Sequence, residues 1–249
     1  MKYITYILLI GGFFYFMYYL SSQKEKNKLN ESLSETTIEV GIEDKDNFLP
    51  EAKGEIVKHR YYTISYIDKY EQSEWVAYKL TRDLLKLPNV PRSDWFNEDP
   101  YLKSGSAKHR DYSNSGYTRG HLVPSGDMSF DKIAEAETFY MSNMTPQLKV
   151  VNNGIWKELE EQTRDWTYQN EEVYIVSGPL FDKQPKFLKN NVAIPTAFYK
   201  IILDIKQPKT KAIAFIIPHE KSERHLREYA VTIDSLESIT KIDFFANFL

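Results

Sequence analysis

Three runs rich in β-branched and aromatic residues, Val173 to Val176, Ala197 to Leu203 and Ala212 to Ile217, constrain the fold most, because each reads as a central strand. Around them the periodicity changes in patches. Tyr61 to Ile67 alternates like a strand, Trp75 to Leu85 reads as a helix after the acidic Glu71 to Glu74 region, and Gly154 to Trp166 reads as a helix that Asn152 or Asn153 could cap. Leu236 to Ile239 begins a short closing helix. A regular strand-helix-strand series is missing, so the pattern predicts one α+β domain whose mainly antiparallel sheet is packed by helices. The chain contains no cysteine, which excludes disulfides, thiolate metal sites and a cysteine nucleophile.

The first 55 residues differ from the rest. Ile4 to Leu20 is an almost uninterrupted apolar run with Lys2 before it and Lys24, Lys26 and Lys28 after it. Its length is near the lower limit for a membrane span, so residues 1–22 are expected to be an uncleaved signal anchor, with a cleaved signal peptide as the competing reading. Residues 23–55 read as an acidic flexible linker, and residues 56–249 as the folded domain. Residues 29–55 carry a net charge of −6 and the first 28 carry +3, so the total of −3 leaves 56–249 neutral. A polyanion site in that domain must therefore be a local cluster.

Chemistry concentrates in two stretches. In Tyr117-Thr118-Arg119-Gly120-His121-Leu122-Val123-Pro124, Arg119 and His121 lie two residues apart and leave an extended backbone on the same side. One can neutralise a phosphate while the other handles a proton. The second stretch runs from Ser142-Asn143-Met144-Thr145-Pro146-Gln147 to Asn152, Trp156, Glu160 and Arg164, whose spacing puts an amide and a carboxylate on one helical face. Hard oxygens of this kind suit Mg2+ or Mn2+. The plain alternative makes Asn152 a helix cap and Glu160 with Arg164 a surface pair. The basic loop Lys103, Lys108, His109 and Arg110 is a local candidate for tracking phosphates, and His59, His109, His219 and His225 have no partner pattern and read as structural or surface histidines. Asp127, six residues beyond His121, reads as a turn or capping residue in preference to a distant metal contact.

Together with Trp75-Val76-Ala77-Tyr78-Lys79-Leu80-Thr81, Pro91-Arg92-Ser93-Asp94-Trp95, Val176-Ser177-Gly178-Pro179-Leu180-Phe181 and Ile194-Pro195-Thr196-Ala197-Phe198-Tyr199-Lys200, these motifs resemble the DNA/RNA non-specific endonucleases, the endonuclease G-like branch of the ββα-metal (His-Me finger) nucleases. The resemblance runs from about Val57 to the C terminus. It implies His121 as general base, Asn152 as the direct protein ligand of a hydrated Mg2+, with Mn2+ as a substitute, and Glu160 holding that ion through water. It also implies Arg92, Arg119 and Arg164 near the scissile phosphate and Asn143 as a supporting polar residue. The implied activity is hydrolysis of DNA and RNA to 5′-phosphate and 3′-hydroxyl ends. Where the family usually has Asp before Arg-Gly-His, this chain has Thr118, which brings no charge to the neighbourhood of the metal. That departure supports a second reading, a catalytically impaired, membrane-tethered nucleic-acid-binding protein. A homodimer is compatible with the resemblance. The lysines after the apolar run favour a cytoplasmic domain by the positive-inside tendency, whereas the hazard of such a nuclease to its own genome favours an exported one, which is the expectation adopted.

Overall fold

The computed structural model describes residues 48–205 and 210–245. The anchor expected at residues 1–22 and the linker as far as residue 47 lie outside them. Among the described residues no helix is long and apolar enough to cross a membrane.

A seven-stranded sheet in the order β1-β2-β3-β6-β7-β8-β9 carries the domain, and every adjacent pair runs antiparallel. Its strands are β1 Glu55–Lys58, β2 Tyr62–Ile67, β3 Gln72–Thr81, β6 Glu172–Leu180, β7 Ala197–Asp204, β8 Lys211–Pro218 and β9 Ala230–Val231. The three runs read as central strands are β6, β7 and β8. A separate hairpin pairs β4 Thr118–His121 with β5 Met144–Gln147, and leads through the one-turn helix α3 Lys149–Asn152 to the long helix α4 Ile155–Asn170. The remaining helices are α1 Arg82–Leu85, α2 Lys132–Glu137 and α5 Ile233–Thr240. The α+β architecture expected from the sequence is the one observed.

The sheet separates two apolar cores. On one face Val76, Tyr78, Leu80, Val173, Ile175 and Phe198 meet Leu122 and Val123 after β4 and Trp156 and Leu159 of α4. On the other, Trp75, Ala77, Tyr174, Val176 and Tyr199 meet Leu236 of α5 and Phe244 and Phe245. This double burial corrects the helix expected over Trp75 to Leu85. That segment is the end of β3 followed by the four-residue α1, and both faces of β3 are apolar because both are covered. The end of the expected linker is also docked. Phe48 stacks on Tyr174 with ring centroids 3.7 Å apart, and the Glu51 carbonyl accepts from the Trp75 indole.

Candidate active site

Two local devices hold β4 and β5 in position. Gly120 faces Thr145, and a Cβ there would come within 2.5 Å of the Gln147 Cγ, so the close approach of the Gln147 side chain requires glycine. Asn143 clamps the chain just past His121. Its carbonyl accepts from the Leu122 amide at 3.0 Å, its Oδ1 accepts from the Val123 amide at 2.9 Å, and its Nδ2 donates to the carbonyls of Val123 and Thr138. All these bonds are buried and local, so Asn143 shapes the site from beneath.

Arg119 and His121 do share one side of β4, and both meet Phe96. The Arg119 guanidinium lies 5.4 Å from the Phe96 ring centre and donates to the His109 carbonyl at 2.8 Å. The His121 ring sits 6.1 Å from Phe96 and packs edge-on against Phe139 at 4.8 Å. Arg92 comes from a distant loop to cover the same Phe139 ring at 4.7 Å, steered by Asp94 at 2.6 Å and the Ser125 hydroxyl at 3.0 Å. Two phenylalanines thus gather Arg92, Arg119 and His121. The His121 Nε2 is buried and takes no hydrogen bond from the protein. An unsatisfied buried nitrogen is costly enough that native proteins keep few of them, and functional sites are where they persist.

Burial, reinforced by the positive charge of Arg92 and opposed by Asp94, pushes the His121 imidazole down to about 3, so it is neutral at physiological pH. A histidine lowered in the folded state gives the unfolded chain the greater proton affinity below pH about 6.5, so stability declines as the pH falls through that value. Comparing the wild type with His121→Asn by denaturant unfolding should therefore show the wild type losing up to about 2 kcal/mol more between pH 7 and 5. An identical pH dependence for both proteins would mean that the ring titrates normally.

The metal-ligand candidate is positioned differently from the cap expected at the start of the long helix. Gly154 occupies the N-cap position of α4, and Asn152 ends α3 instead. Its Nδ2 donates to the Thr118 hydroxyl at 3.0 Å, and that hydroxyl donates to the Gln147 carbonyl at 2.9 Å. At the second residue of α4, the Trp156 indole donates to the His121 carbonyl at 3.2 Å. Both bonds tie the helix start to β4. Because the Asn152 nitrogen is engaged, its Oδ1 is left as a hard oxygen acceptor. Among the described residues there is no group of three or more His, Cys, Asp and Glu able to cage an ion. One amide oxygen with a carboxylate further along the helix fits a hydrated Mg2+, which keeps most of its waters and takes few protein ligands.

Further along α4, Glu160 and Arg164 form more than a surface pair. The Arg164 Nη1 donates to the buried Asp127 at 2.7 Å, and Asp127 also accepts from the Tyr78 hydroxyl at 2.7 Å. Asp127 does close a short turn after Pro124, but its carboxylate is the anchor that fixes Arg164. Glu160 faces Lys200 of β7, which is wholly buried, lies 5.0 Å from the Trp156 ring centre and has no hydrogen-bond partner at Nζ. Burial drives Glu160 up, to about 7, and Lys200 down, while their mutual attraction opposes both shifts. Lys200 was invisible as a site residue because it sits in a strand pattern. Its signal was a lone cation at an inward position of an otherwise apolar strand. The other histidines have structural partners: His59 pairs with Asp99 at 3.1 Å, His219 accepts from the Leu148 amide at 2.7 Å, and the His225 amide donates to Glu228 in a capping arrangement. In the basic loop, Lys108 pairs with Glu98 at 3.1 Å, and the His109 ring packs 5.7 Å from Phe96 at the rim of the site.

A ββα unit that brings a neutral histidine, several arginines and an amide oxygen together on a mainly antiparallel sheet defines the chemistry of a phosphodiester hydrolase. The model of the DNA/RNA non-specific endonuclease family matches residues 44–249, and the chain belongs to that family. It is 35% identical over 214 residues to a nuclease of Nostoc sp., covering 81% of this chain and 74% of that protein. It is 33% identical over 214 residues to the mitochondrial nuclease EXOG of Danio rerio, covering 79% of this chain and 62% of that protein. Among solved structures, EndoG in complex with EndoGI superposes with a TM-score of 0.76 at 27% identity, covering 83% of this chain and 91% of that one.

Proposed function

We propose that the chain is a Mg2+-dependent, sugar-non-specific endonuclease in which His121 is the general base. The observation that carries this reading is the buried, unpartnered His121 Nε2, neutral and flanked by Arg92 and Arg119. A water oxygen attacks phosphorus as its proton passes to the imidazole, the bond from phosphorus to the 3′ oxygen breaks, and that oxygen leaves with a proton from solvent. The products are a 5′-phosphate and a 3′-hydroxyl. Burial is the main cause of the depressed His121 pKa and Arg92 the second, and an anionic substrate phosphate docked beside Arg92 offsets the second and moves the base upward. Arg92, Arg119 and Arg164 balance the charge that grows on the phosphoryl oxygens. A hydrated Mg2+, or Mn2+, held directly by Asn152 and through water by Glu160, would supply positive charge to those oxygens and to the departing 3′ oxygen.

Thr118 supports an active site, because its hydroxyl performs the acceptor role toward Asn152 that a carboxylate would perform. Thr118→Val should weaken the Mg2+ requirement curve by about 10- to 100-fold, the usual effect of losing a group that orients a ligand, whereas Thr118→Asp should stay close to wild type. Titrating cleavage with Mg2+ measures this, and an unshifted Val curve would remove Thr118 from the account. The reading extends to an exported domain tethered by residues 1–22. Its test is the chemistry of the products: fragments that T4 ligase rejoins without prior phosphorylation carry the proposed ends. Retarded but unshortened DNA would instead support the impaired binding protein.

A further inference from the structure

A cavity of about 490 Å3 opens beside the proposed active site, with Arg92 and Arg164 both in its wall. It lies where α4 continues past Glu160 and Arg164 to Tyr168, one further turn on the same helical face. Its volume falls in the range of small-molecule sites. Tyr168 is 43% exposed, yet its ring is fixed, because the hydroxyl donates to the Leu85 carbonyl at 3.0 Å and the Tyr168 carbonyl accepts from Arg82 at 2.7 Å. The cavity wall therefore includes a partly exposed tyrosine whose hydroxyl and backbone are both tied down.

The charges in the wall select the ligand. Arg92 is steered by Asp94, and Arg164 is held by Asp127. Glu161 and Asp165 face the same space and disfavour a phosphate inside it. The Oδ1 of Asn89 already accepts from Ser129. A flat, uncharged ring carrying N–H donors suits such a pocket, while an anion suits only its arginine rim. We propose that this cavity is a nucleobase subsite: an unpaired base of the substrate strand stacks on Tyr168 and donates to the carboxylates, while the strand's phosphates stay at Arg92 and Arg164. The inference rests on the nuclease reading and adds a preference for single-stranded or locally opened substrate.

The test uses the full-length chain in detergent and EDTA, so that nothing is cut, with fluorescein-labelled 12-nucleotide single strands read by anisotropy. One strand carries mixed bases, and a set carries a single abasic residue at each position in turn. Base stacking on an aromatic side chain is worth enough that one abasic position should weaken wild-type binding about 5- to 100-fold. Tyr168→Ala should bind the intact strand weaker by the same factor and become indifferent to that abasic position. Tyr168→Phe, which keeps the ring, should retain the discrimination. Equal wild-type affinity for all strands, or undiminished discrimination in Tyr168→Ala, would overturn the subsite. Plasmid nicking in Mg2+ by the same samples separates the two ideas. Nicking without base discrimination removes the subsite alone, whereas discrimination without nicking sustains the subsite and removes the nuclease reading.

Discussion

Asp127→Ala should destabilise the domain by about 3 kcal/mol, measured as a shift in denaturant midpoint at unchanged slope. Asp127 is 1% exposed and accepts from both Tyr78 and Arg164 at 2.7 Å. Its removal strands a buried phenol and a guanidinium whose side chain is only 24% exposed. Breaking one side of a buried ion pair costs about 3–5 kcal/mol, and the partial exposure of Arg164 places this case at the lower end. Asp127→Asn keeps an acceptor oxygen and should recover part of the loss. Activity of the alanine variant at temperatures where it remains folded should also fall, because Arg164 loses the contact that orients it. A loss below about 1 kcal/mol would show that the pair is not the anchor described.

His121→Ala should reduce cleavage by about 100- to 10,000-fold while leaving the fold intact. The side chain makes no hydrogen bond through Nε2, and the local backbone is held by other groups, namely Asn143 and Trp156. Loss of the imidazole therefore removes a proton acceptor and an edge contact with Phe139 but no structural hydrogen bond from Nε2. The rate loss should appear in kcat more than in KM, since the arginines that dock the phosphate remain. A variant with near wild-type kcat would transfer the base to another residue.

The sheet was legible where apolar runs are long and β-branched, as in β6, β7 and β8. It was misread at β3, because Trp75 and Ala77 serve one core while Val76, Tyr78 and Leu80 serve the other, and a strand buried on both faces has no polar alternation. The hairpin's chemistry was legible in part. Two-residue spacing correctly put Arg119 and His121 on one side, but only the fold shows that Phe96 and Phe139 bring Arg92 to them. Asn152 resembled a cap because the break at Gly154 between α3 and α4 leaves no strong local signal. The partner of Lys200 and the anchoring role of Asp127, which the sequence shows only as a turn residue, were illegible for a shared reason. Each residue acts through partners distant in sequence, and neither pairing has a spacing that a linear pattern can reveal.

The proposed function stands or falls on whether His121 and its neighbours hydrolyse phosphodiester bonds with a divalent ion. The most direct test incubates full-length wild type and His121→Ala, both in detergent, with supercoiled plasmid and with RNA, each in Mg2+ or in EDTA. The wild type should nick and then degrade both substrates in Mg2+ alone, and the variant, equally folded by circular dichroism, should do neither on the same time scale. Cleavage that persists in EDTA, or in the variant at the wild-type rate, would contradict the proposed function.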